Sequence, residues 1–594
     1  MALPRAGHAV SAGRAARLLL LLGGIGACGA CHDTPDPFAG TTAQAGQVRL
    51  NQLGFLPGAQ KLAVVEGDRA LPFTVEREEG GGVVLSGTTT APATWKPARR
   101  KAAIADLGAL TAPGRYRVRV EGLPPSDPFP VDAQAYSALA DASLKSFYLI
   151  RSGTPLEAAY AGEYARAAGH PDQEVEIHVS AVSPGRPAGT VVSAPGGWYD
   201  AGDYNKYVVN SGITTWTLLA AYEHFPEFFR GRELGIPESG NGVPDILDEA
   251  WWNLRWMLAM QDPGDGGVYH KLTNLRFDGR VMPDQAVKRR YMVGRSTAAA
   301  LDFAAVMAIA SRVYAGYEAQ FPGVPARMRA AAEAAWGWAQ AHPDAVYRQP
   351  GDVRTGEYGD EMLDDEFAWA AAELYLLTGD AHYLEAFARH ARDADVPNWA
   401  DVGALGWISL AAHRQRLPAA SRDAAERQVG QLAARLAVQS RESPWRVAMQ
   451  LGDFGWGSNA VAMNQAMVLL QAYRLERDRM YLDAAQSQLD YVLGRNPLGM
   501  SFVTGHGLRT PMHIHHRPSQ ADGIAPPVPG LLSGGPNPGQ QDREDCKGAA
   551  HYRSAVPALS WIDHDCSYAS NETAINWNAP LVYVAAALQS LTPP

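Results

Sequence analysis

From residue 135 to the C-terminus, the sequence is dominated by segments rich in Ala, Leu and aromatic residues that carry the period of α-helices. About twelve such segments are predicted, near residues 137–152, 212–225, 246–261, 296–316, 326–342, 364–378, 380–392, 403–416, 420–439, 459–475, 478–493 and 574–590. Several of them are apolar around most of their circumference, as expected of a helix buried on both sides. A set of this size can close into a double ring, half inside and half outside. We find no fixed repeat period, which disfavours the alternative of a helical solenoid.

Residues 47–132 differ in pattern and are predicted to form β structure, because short β-rich stretches alternate with turn signals containing Pro and Gly. The predicted strands include Val48–Leu50, Lys61–Val65, Gly82–Leu85 and Tyr116–Val120. Strands at this spacing indicate a small β-sandwich. The fold is therefore predicted to be mainly α, with a β-sandwich at 47–132 preceding a helical barrel at 133–594.

The N-terminus has the layout of a secretory signal, with Arg5, Arg14 and Arg17 preceding the apolar run Leu18–Leu22. This run is too short to span a membrane as a stable helix. The following sequence, Ile25–Cys28, resembles a bacterial lipobox, in which the cysteine is lipidated and becomes the mature N-terminus. A plain signal peptide that is cut nearby is the alternative.

These features predict an exported protein with a signal at residues 1–28 and a flexible linker at 29–46. A lipid on Cys28 would be its only membrane contact and would hold it in the bacterial cell envelope, on the periplasmic or surface face of the outer membrane. Without the lipid, the protein would be secreted. In an oxidising compartment Cys546 and Cys566 can form a disulfide, although the sequence does not show whether they are close enough.

Charge and aromatic content narrow the class of partner. The chain has 52 Lys and Arg residues against 62 Asp and Glu residues, which gives a formal net charge of −10. Such a surface argues against nucleic acid, whose phosphates would be repelled, and is compatible with a neutral substrate. The 15 Trp and 23 Tyr residues are either core residues or flat platforms that stack on sugar rings. A monomer is expected.

The irregular segment Gly196–Tyr207 is the first that can carry chemistry. It places Asp200 and Asp203 on either side of Gly202, with aromatic residues flanking both. The glycine permits a tight turn that can bring both carboxylates to one point, where they could hold and deprotonate a water molecule. A calcium loop and a turn stabilised by the two aspartates are the alternatives.

A cluster of histidines forms the second such segment. His513, His515 and His516 precede Arg517, downstream of the Gly-rich stretch Thr504–Gly507. Clustered histidines usually suggest a metal site, but an arginine beside a divalent metal is unfavourable, and no H-E-x-x-H pattern accompanies them. Hydrogen bonding to a polyhydroxylated ligand is at least as well supported.

The third segment, Trp561–Pro580, contains Asp563, Tyr568 and Glu572 in front of the last predicted helix. A glutamate near a helix N-terminus is commonly only a cap, because the helix dipole favours negative charge there. Position alone therefore leaves a structural role open for Glu572.

Together these segments resemble glycoside hydrolase family 9, the inverting cellulases with an (α/α)6 barrel. The family's Asp-Ala-Gly-Asp motif is matched by Asp200–Asp203. Its histidine signature is matched by Gly505, Gly507, His515 and Arg517, and its final signature by Trp561, Asp563, Tyr568, Glu572, Ala574, Asn578 and Ala579. Asn51–Phe55 and Asn241–Glu249 resemble the branch with an immunoglobulin-like β-sandwich before the barrel. The resemblance covers about residues 47–592.

This resemblance implies roles for three carboxyl groups. Asp203 would be the general base, Asp200 would help to hold the attacking water, and Glu572 would be the general acid. Hydrolysis of an acetal needs one protonated acid and one ionised base, so the pairing is chemically consistent. No catalytic cofactor is expected.

Substrate-binding residues are expected around these groups. The resemblance implies that His515 and Arg517 bind the sugar at the cleavage site, that Asp563 is a supporting group, and that Tyr568 contacts the substrate. The aromatic candidates for stacking, each of which can equally be a core residue, are Trp198, Trp369, Trp399, Trp456 and Trp577.

The implied partner is a β-1,4-glucan or cello-oligosaccharide, cleaved with inversion and by endo action. Exo-acting relatives that release cellobiose or glucosamine are alternatives, as is a non-catalytic polysaccharide-binding lipoprotein. The stretch Pro518–Gly548 is a candidate for blocking one end of a cleft. Family members often bind calcium, and Asp365, Glu366 and Asp401 resemble such a site, with a buried salt bridge at a helix start as the rival interpretation.

Overall fold

The computed structural model describes residues 48–593, so the predicted signal and linker lie outside the described residues. The first eight strands form two four-stranded antiparallel sheets, ordered β1-β2-β6-β5 and β4-β3-β7-β8. Their bounds are β1 Val48–Arg49, β2 Leu62–Glu66, β3 Pro72–Arg77, β4 Val83–Thr88, β5 Ala93–Trp95, β6 Arg100–Asp106, β7 Gly114–Val120 and β8 Phe129–Val131. The predicted β-sandwich is confirmed.

Strand β7 shows how the sequence forms this sandwich. Its apolar side chains, at Tyr116, Val118 and Val120, are buried in the core between the sheets. The arginines that alternate with them are more exposed and pair with carboxylates on or next to the neighbouring strand β3, for example Arg117 with Glu78 at 3.1 Å. This two-residue alternation is the pattern expected of a strand with one buried face.

Twelve helices of ten or more residues follow in the described chain, and all twelve predicted segments are confirmed. They are α1 Ser137–Leu149, α2 Val208–His224, α3 Asp245–Ala259, α4 Thr297–Tyr314, α5 Val324–Ala341, α6 Asp364–Thr378, α7 Ala381–His390, α8 Gly403–Ala412, α9 Ala419–Glu442, α10 Ser458–Glu476, α11 Arg479–Val492 and α12 Ile575–Leu591.

The even-numbered helices form a closed inner ring. Each packs against the next even-numbered helix, and α12 packs against α2, while the odd-numbered helices lie outside. Inner helix α4 buries every residue except Arg312, whereas outer helix α7 buries only Tyr383, Ala386 and Phe387. The described residues contain one helix long and apolar enough to cross a membrane, Thr297–Tyr317, and it is mostly buried in the barrel. The predicted (α/α)6 barrel is therefore confirmed.

A third sheet, which the sequence patterns did not predict, is formed by segments between the helices. Its strands are ordered β10-β9-β13-β12-β11, with bounds β9 Val175–Ile177, β10 Val191–Val192, β11 Lys206–Tyr207, β12 Tyr269–Thr273 and β13 Tyr291–Arg295. Strands of two to five residues are too short to show a period. The sheet matters because the long connection between β12 and β13, residues 274–290, reaches the candidate site described below.

The segment before β2 fastens the sandwich to the barrel. Asn51 Nδ2 donates to Asp490 Oδ1 at 2.9 Å, and Asp490 is also paired with Arg495 at 3.2 Å. Gln52 Oε1 accepts from the backbone N–H groups of Leu508 and Arg509 at 2.8 and 2.9 Å. These buried polar contacts join residues that are more than 400 positions apart.

Replacing Asn51 with Ala should destabilise the whole chain. The Asp490 carboxylate would lose a buried hydrogen-bond donor, and hydrogen bonds to charged groups contribute about 1.5–3 kcal/mol. We expect the free energy of unfolding, measured by urea denaturation, to fall by that amount. Ser86→Ala, on the exposed strand β4, is the control and should change it by less than about 0.5 kcal/mol. Equal effects of the two substitutions would contradict this role.

Candidate active site

A cavity of about 960 Å³ opens at the N-terminal ends of the inner helices. Residues that immediately precede α2, α10 and α12 line it, namely Tyr207, Gly457 and Ala574. The partial positive charges of these helix ends therefore face the cavity, where they favour anionic groups. The cavity brings together most of the predicted site residues: Asp200, Asp203, His515, Arg517, Tyr568, Glu572, Trp456 and Trp577.

Gly202 is the point at which the three predicted segments meet. Its N–H donates to Glu572 Oε1 at 3.2 Å, and its carbonyl oxygen accepts from Arg517 Nη1 at 2.8 Å. A Cβ at this position would lie 2.3 Å from the His515 carbonyl oxygen and 2.9 Å from Glu572 Oε1. No side chain fits there, so the turn requires glycine because of this close approach.

Asp200 is buried and held by two donors. Asn210 Nδ2 donates to Oδ1 and the Tyr358 hydroxyl donates to Oδ2, both at 2.7 Å. Burial raises the pKa of this carboxyl to about 7, with Asp203 adding to the rise and the two donors opposing it. Asp200 therefore titrates near neutral pH in a fixed orientation.

Asp203 lines the cavity beside Asp200. Its Oδ1 accepts from the backbone N–H of Asn205 at 2.7 Å, which fixes the orientation of the carboxyl group. Burial raises the pKa of Asp203, while the nearby Arg517 guanidinium and this hydrogen bond oppose the rise. The arginine therefore favours the ionised form that a general base needs.

Glu572 lies across the Gly202 peptide from these aspartates. Burial raises the pKa of Glu572 well above its usual value, and the charge of Asp203 raises it further, while Arg517 opposes the rise. The side chain accepts from Gly202 rather than capping the following helix, which has no side-chain cap at Ala574. A carboxyl group in this environment keeps its proton near neutral pH, as a general acid must.

His515 is a neutral imidazole at the edge of the site. Burial lowers its pKa to about 4. Its Nδ1 lies 2.6 Å from the carbonyl oxygen of Asp565, and because a carbonyl only accepts, Nδ1 carries the proton. Nε2 is then an acceptor suited to a sugar hydroxyl. Arg517 is fixed by the Asp278 carbonyl oxygen, which accepts from its Nε at 3.0 Å.

Asp563 does not line the cavity but organises the segment that does. Its two carboxylate oxygens accept from the backbone N–H groups of Met512 and His513, each at 2.9 Å. Oδ1 also accepts from Asn571 Nδ2 at 3.1 Å. Asp563 therefore links the histidine segment to the residue before Glu572, which is the geometry of a supporting group.

Four aromatic candidates lie on the cavity wall. Trp456 is 49% exposed and packs against Tyr568 with ring centroids 5.4 Å apart. Trp577 and Trp399 also line the cavity, and Trp399 contacts Tyr358 edge-on at 5.0 Å. These rings provide flat apolar faces of the kind that stack on sugars.

The prediction of Trp369 as a substrate-binding residue is wrong. Trp369 lies in the middle of inner helix α6, is 0% exposed, and packs against Trp216 with centroids 6.4 Å apart. Trp198 is equally buried and donates to Glu249 at 2.7 Å. Both are core residues, because their side chains point into the packed interior and not into the cavity.

The stretch Pro518–Gly548 reaches the cavity through one residue, Gln541. A disulfide between Cys546 and Cys566, with Cα atoms 5.2 Å apart, ties this loop to the segment that carries Glu572. Tyr568 strengthens the link by donating to Asp545 at 2.8 Å. The loop is therefore part of the cavity wall.

The predicted calcium ligands lie at the start of α6 and before α8. Asp365 Oδ2 accepts from the Val402 N–H at 2.8 Å, whereas Glu366 has a buried carboxyl oxygen without a hydrogen-bond partner. Within residues 48–593, no three His, Cys, Asp or Glu side chains are arranged to hold one metal ion. A calcium site at Asp365, Glu366 and Asp401 therefore stays a prediction. The ion pairs at the helix start are made by Asp364 instead.

Sequence reasoning missed Tyr358 and Asn210, which hold Asp200. Tyr358 lies in an irregular segment, where its backbone φ of 49° is in the left-handed region and no pattern marks it. Asn210 carries a weak signal, because a buried amide in the first turn of an inner helix needs a polar partner.

Comparison with known proteins agrees with this geometry. The profile of glycosyl hydrolase family 9 matches residues 136–585, and that of the cellulase N-terminal Ig-like domain matches residues 43–124. A xyloglucan-specific endo-beta-1,4-glucanase of Bacteroides ovatus is 44% identical over 560 residues, which span 92% of this chain and 94% of the relative.

Solved structures agree as well. A family 9 structure from Bacteroides ovatus has a TM-score of 0.85 at 42% identity and covers 92% of this chain and 99% of that chain. A thermostable endoglucanase mutant from Alicyclobacillus acidocaldarius has a TM-score of 0.82 at 32% identity, covering 92% and 100%. The chain therefore belongs to glycosyl hydrolase family 9 and is an inverting glycoside hydrolase of the endo-β-1,4-glucanase type.

Proposed function

We propose that this enzyme cleaves the backbone of soluble β-1,4-glucans at internal positions and that xyloglucan is among its substrates. The observation that carries the proposal is the meeting of Asp203 and Glu572, from distant segments, in one aromatic-walled cavity. The substrate named for the Bacteroides ovatus relative supports xyloglucan. A non-catalytic binding protein is less well supported, because it would not need both carboxyl groups in these environments.

In this proposal Asp203 is the general base and Asp200 holds the attacking water. Burial raises the pKa of Asp203, and Arg517 opposes this rise and so favours the ionised form that a base needs. Asp200, oriented by Asn210 and Tyr358, offers a second acceptor for the same water. Two acceptors from one turn fix the direction in which the water attacks the anomeric carbon.

Glu572 is the general acid in the same proposal. Its raised pKa keeps the proton that must be delivered to the leaving oxygen. Attack and departure then take place on opposite faces of the sugar, which inverts the anomeric centre when the carboxyl groups are separated by about 6.5–9.5 Å. Arg517 and neutral His515 bind hydroxyl groups of the sugar between them.

Endo action is tested by following viscosity and reducing ends together on xyloglucan and carboxymethylcellulose. We expect viscosity to collapse while few reducing ends have formed, because internal cuts shorten chains fastest. Cello-oligosaccharides serve as the reference for product length. Release of cellobiose alone from the first time point would contradict the proposal.

Glu572→Gln should keep the fold but lose about 10²–10⁴-fold in kcat on ordinary glucans, the range for general acid catalysis. A substrate with a dinitrophenyl leaving group should be spared part of this loss, since it needs no proton. Wild-type activity falls as pH rises through the pKa of Glu572, so this alkaline limb should disappear in the variant.

The matched control is Glu442→Gln, which makes the same change at the exposed end of α9 and should leave kcat unchanged. An equal loss on both substrate types in Glu572→Gln would show that Glu572 does not act as the acid.

We also propose that the enzyme binds a structural calcium ion near Asp365 and Glu366. Both oxygens of buried Asp302 and one oxygen of Glu366 lack hydrogen-bond partners. Burial raises the pKa values of both groups, and each is raised further by the charge of Asp365. A hard cation would reduce the repulsion between these carboxyl groups and would be coordinated by their oxygens. Backbone carbonyls or water would complete its coordination shell. No step of the reaction depends on it.

Chelation of calcium should lower the melting temperature. An ion that binds only the folded state stabilises it by about 2.7 kcal/mol when present at a hundred times its Kd. Scanning calorimetry with chelator or with added calcium measures the shift, and Asp365→Asn should reduce it. Identical melting curves with chelator and with added calcium would contradict the proposed calcium site.

We propose, finally, that the enzyme is exported as a monomer and anchored through a lipid on Cys28. The lipobox at Ile25–Cys28 and the preceding basic and apolar residues support this location. A tether of about eighteen residues would then let the catalytic body reach glucans beyond the membrane surface. Fractionation of the producing cells measures the association.

A further inference from the structure

The connection between β12 and β13, residues 274–290, is fastened to the turn that carries the catalytic aspartates. The Tyr204 hydroxyl donates to the Val281 carbonyl oxygen at 2.6 Å. Arg290 Nη1 donates to the Tyr204 carbonyl oxygen at 2.8 Å and holds the loop from its other end. The loop therefore has a fixed position relative to Asp203.

Within this loop the backbone at Phe277 is held by its neighbours. Lys288 Nζ donates to the Phe277 carbonyl oxygen at 2.6 Å and pairs with Asp278 Oδ1 at 3.3 Å. Asn274 Nδ2 donates to Asp278 Oδ2 at 2.5 Å. Lys288 thus holds the Phe277 carbonyl group, and Lys288 and Asn274 together hold the side chain of the next residue, Asp278.

The same loop is joined to the groups that bind the sugar. Arg517 Nε donates to the Asp278 carbonyl oxygen at 3.0 Å. Arg280 pairs with Asp565 at 2.7 Å, and the carbonyl oxygen of Asp565 accepts from His515. The loop is therefore coupled to both residues at the cleavage site.

The ring of Phe277 faces the cavity. It is 41% exposed, lines the cavity, and has Arg517 Cζ 5.5 Å from its centroid. In the part of the chain that the structure describes, it stacks on no other aromatic ring. A ligand that covers this ring would remove apolar surface from water, which is favourable.

We infer that Phe277 is a substrate-binding residue and forms a stacking platform for one glucose unit beside the Arg517 edge of the site. This inference rests on the proposed function. The C–H face of a glucose ring is apolar and flat, which matches a phenyl ring. Trp456 lines the same cavity from a different segment, so a glucan long enough to reach both rings would gain the contact with Phe277.

Phe277→Leu tests the inference because it keeps an apolar side chain of similar size and removes the flat face. In a Glu572→Gln background, calorimetry with cellotetraose and cellohexaose measures binding without turnover. We expect the Kd for cellohexaose to rise about 3- to 10-fold, the effect of losing one aromatic contact, and the Kd for cellotetraose to rise less. In the active enzyme, KM should rise while kcat changes little.

Two further variants separate binding from structure. Phe277→Tyr keeps the ring and should restore the Kd. Val287→Ala lies on the same loop, 85% exposed and away from the cavity, and should leave the Kd unchanged. Unchanged binding in Phe277→Leu, or an equal loss in Val287→Ala, would overturn the inference. Failure of the wild-type enzyme to hydrolyse any β-1,4-glucan would instead overturn the proposed function, so the two failures are distinguishable.

Discussion

The site depends on one close approach, that of the Gly202 peptide to two other segments of the chain. Its N–H and carbonyl groups contact the side chains of Glu572 and Arg517, which come from segments more than 300 residues away. A hydrogen atom in place of Cβ lets these groups pass within contact distance. The positions of Glu572, Asp203 and Arg517 are therefore set by one backbone turn and not by the loops independently.

The barrel supplies the electrostatic setting for this turn. Inner helices present their N-termini to the cavity, where two buried carboxyl groups, Asp200 and Asp203, lie with the partly exposed Glu572. Burial raises all three pKa values, and it is opposed by Arg517 at Asp203 and Glu572 and by the donors Asn210 and Tyr358 at Asp200. The two groups differ in their surroundings: Arg517, Arg290 and the Asn205 N–H all lower the pKa of Asp203, whereas the charge of Asp203 raises the pKa of Glu572.

Those parts of the fold in which apolar residues recur with a fixed period could be predicted from the sequence alone. All twelve helices were predictable because their apolar residues recur over many turns, whereas β9 to β13 were not, since strands this short show no period. The two tryptophans Trp369 and Trp456 illustrate the limit at the site. Trp369 lies within inner helix α6, and Trp456 lies just before inner helix α10. Only the packing shows that Trp369 is a core residue. Tyr358 was missed because its partner, Asp200, is distant in sequence.

The contact of Gln52 with the barrel has a consequence for how such chains evolve. Its side chain accepts from two backbone N–H groups a few residues upstream of His515, and it also donates to the Gly499 carbonyl oxygen. The β-sandwich thus contacts the segment that leads to His515. A recombination event that joined a different sandwich to this barrel would lose these hydrogen bonds unless that sandwich carried a glutamine at the same place, although the sandwich has a core of its own.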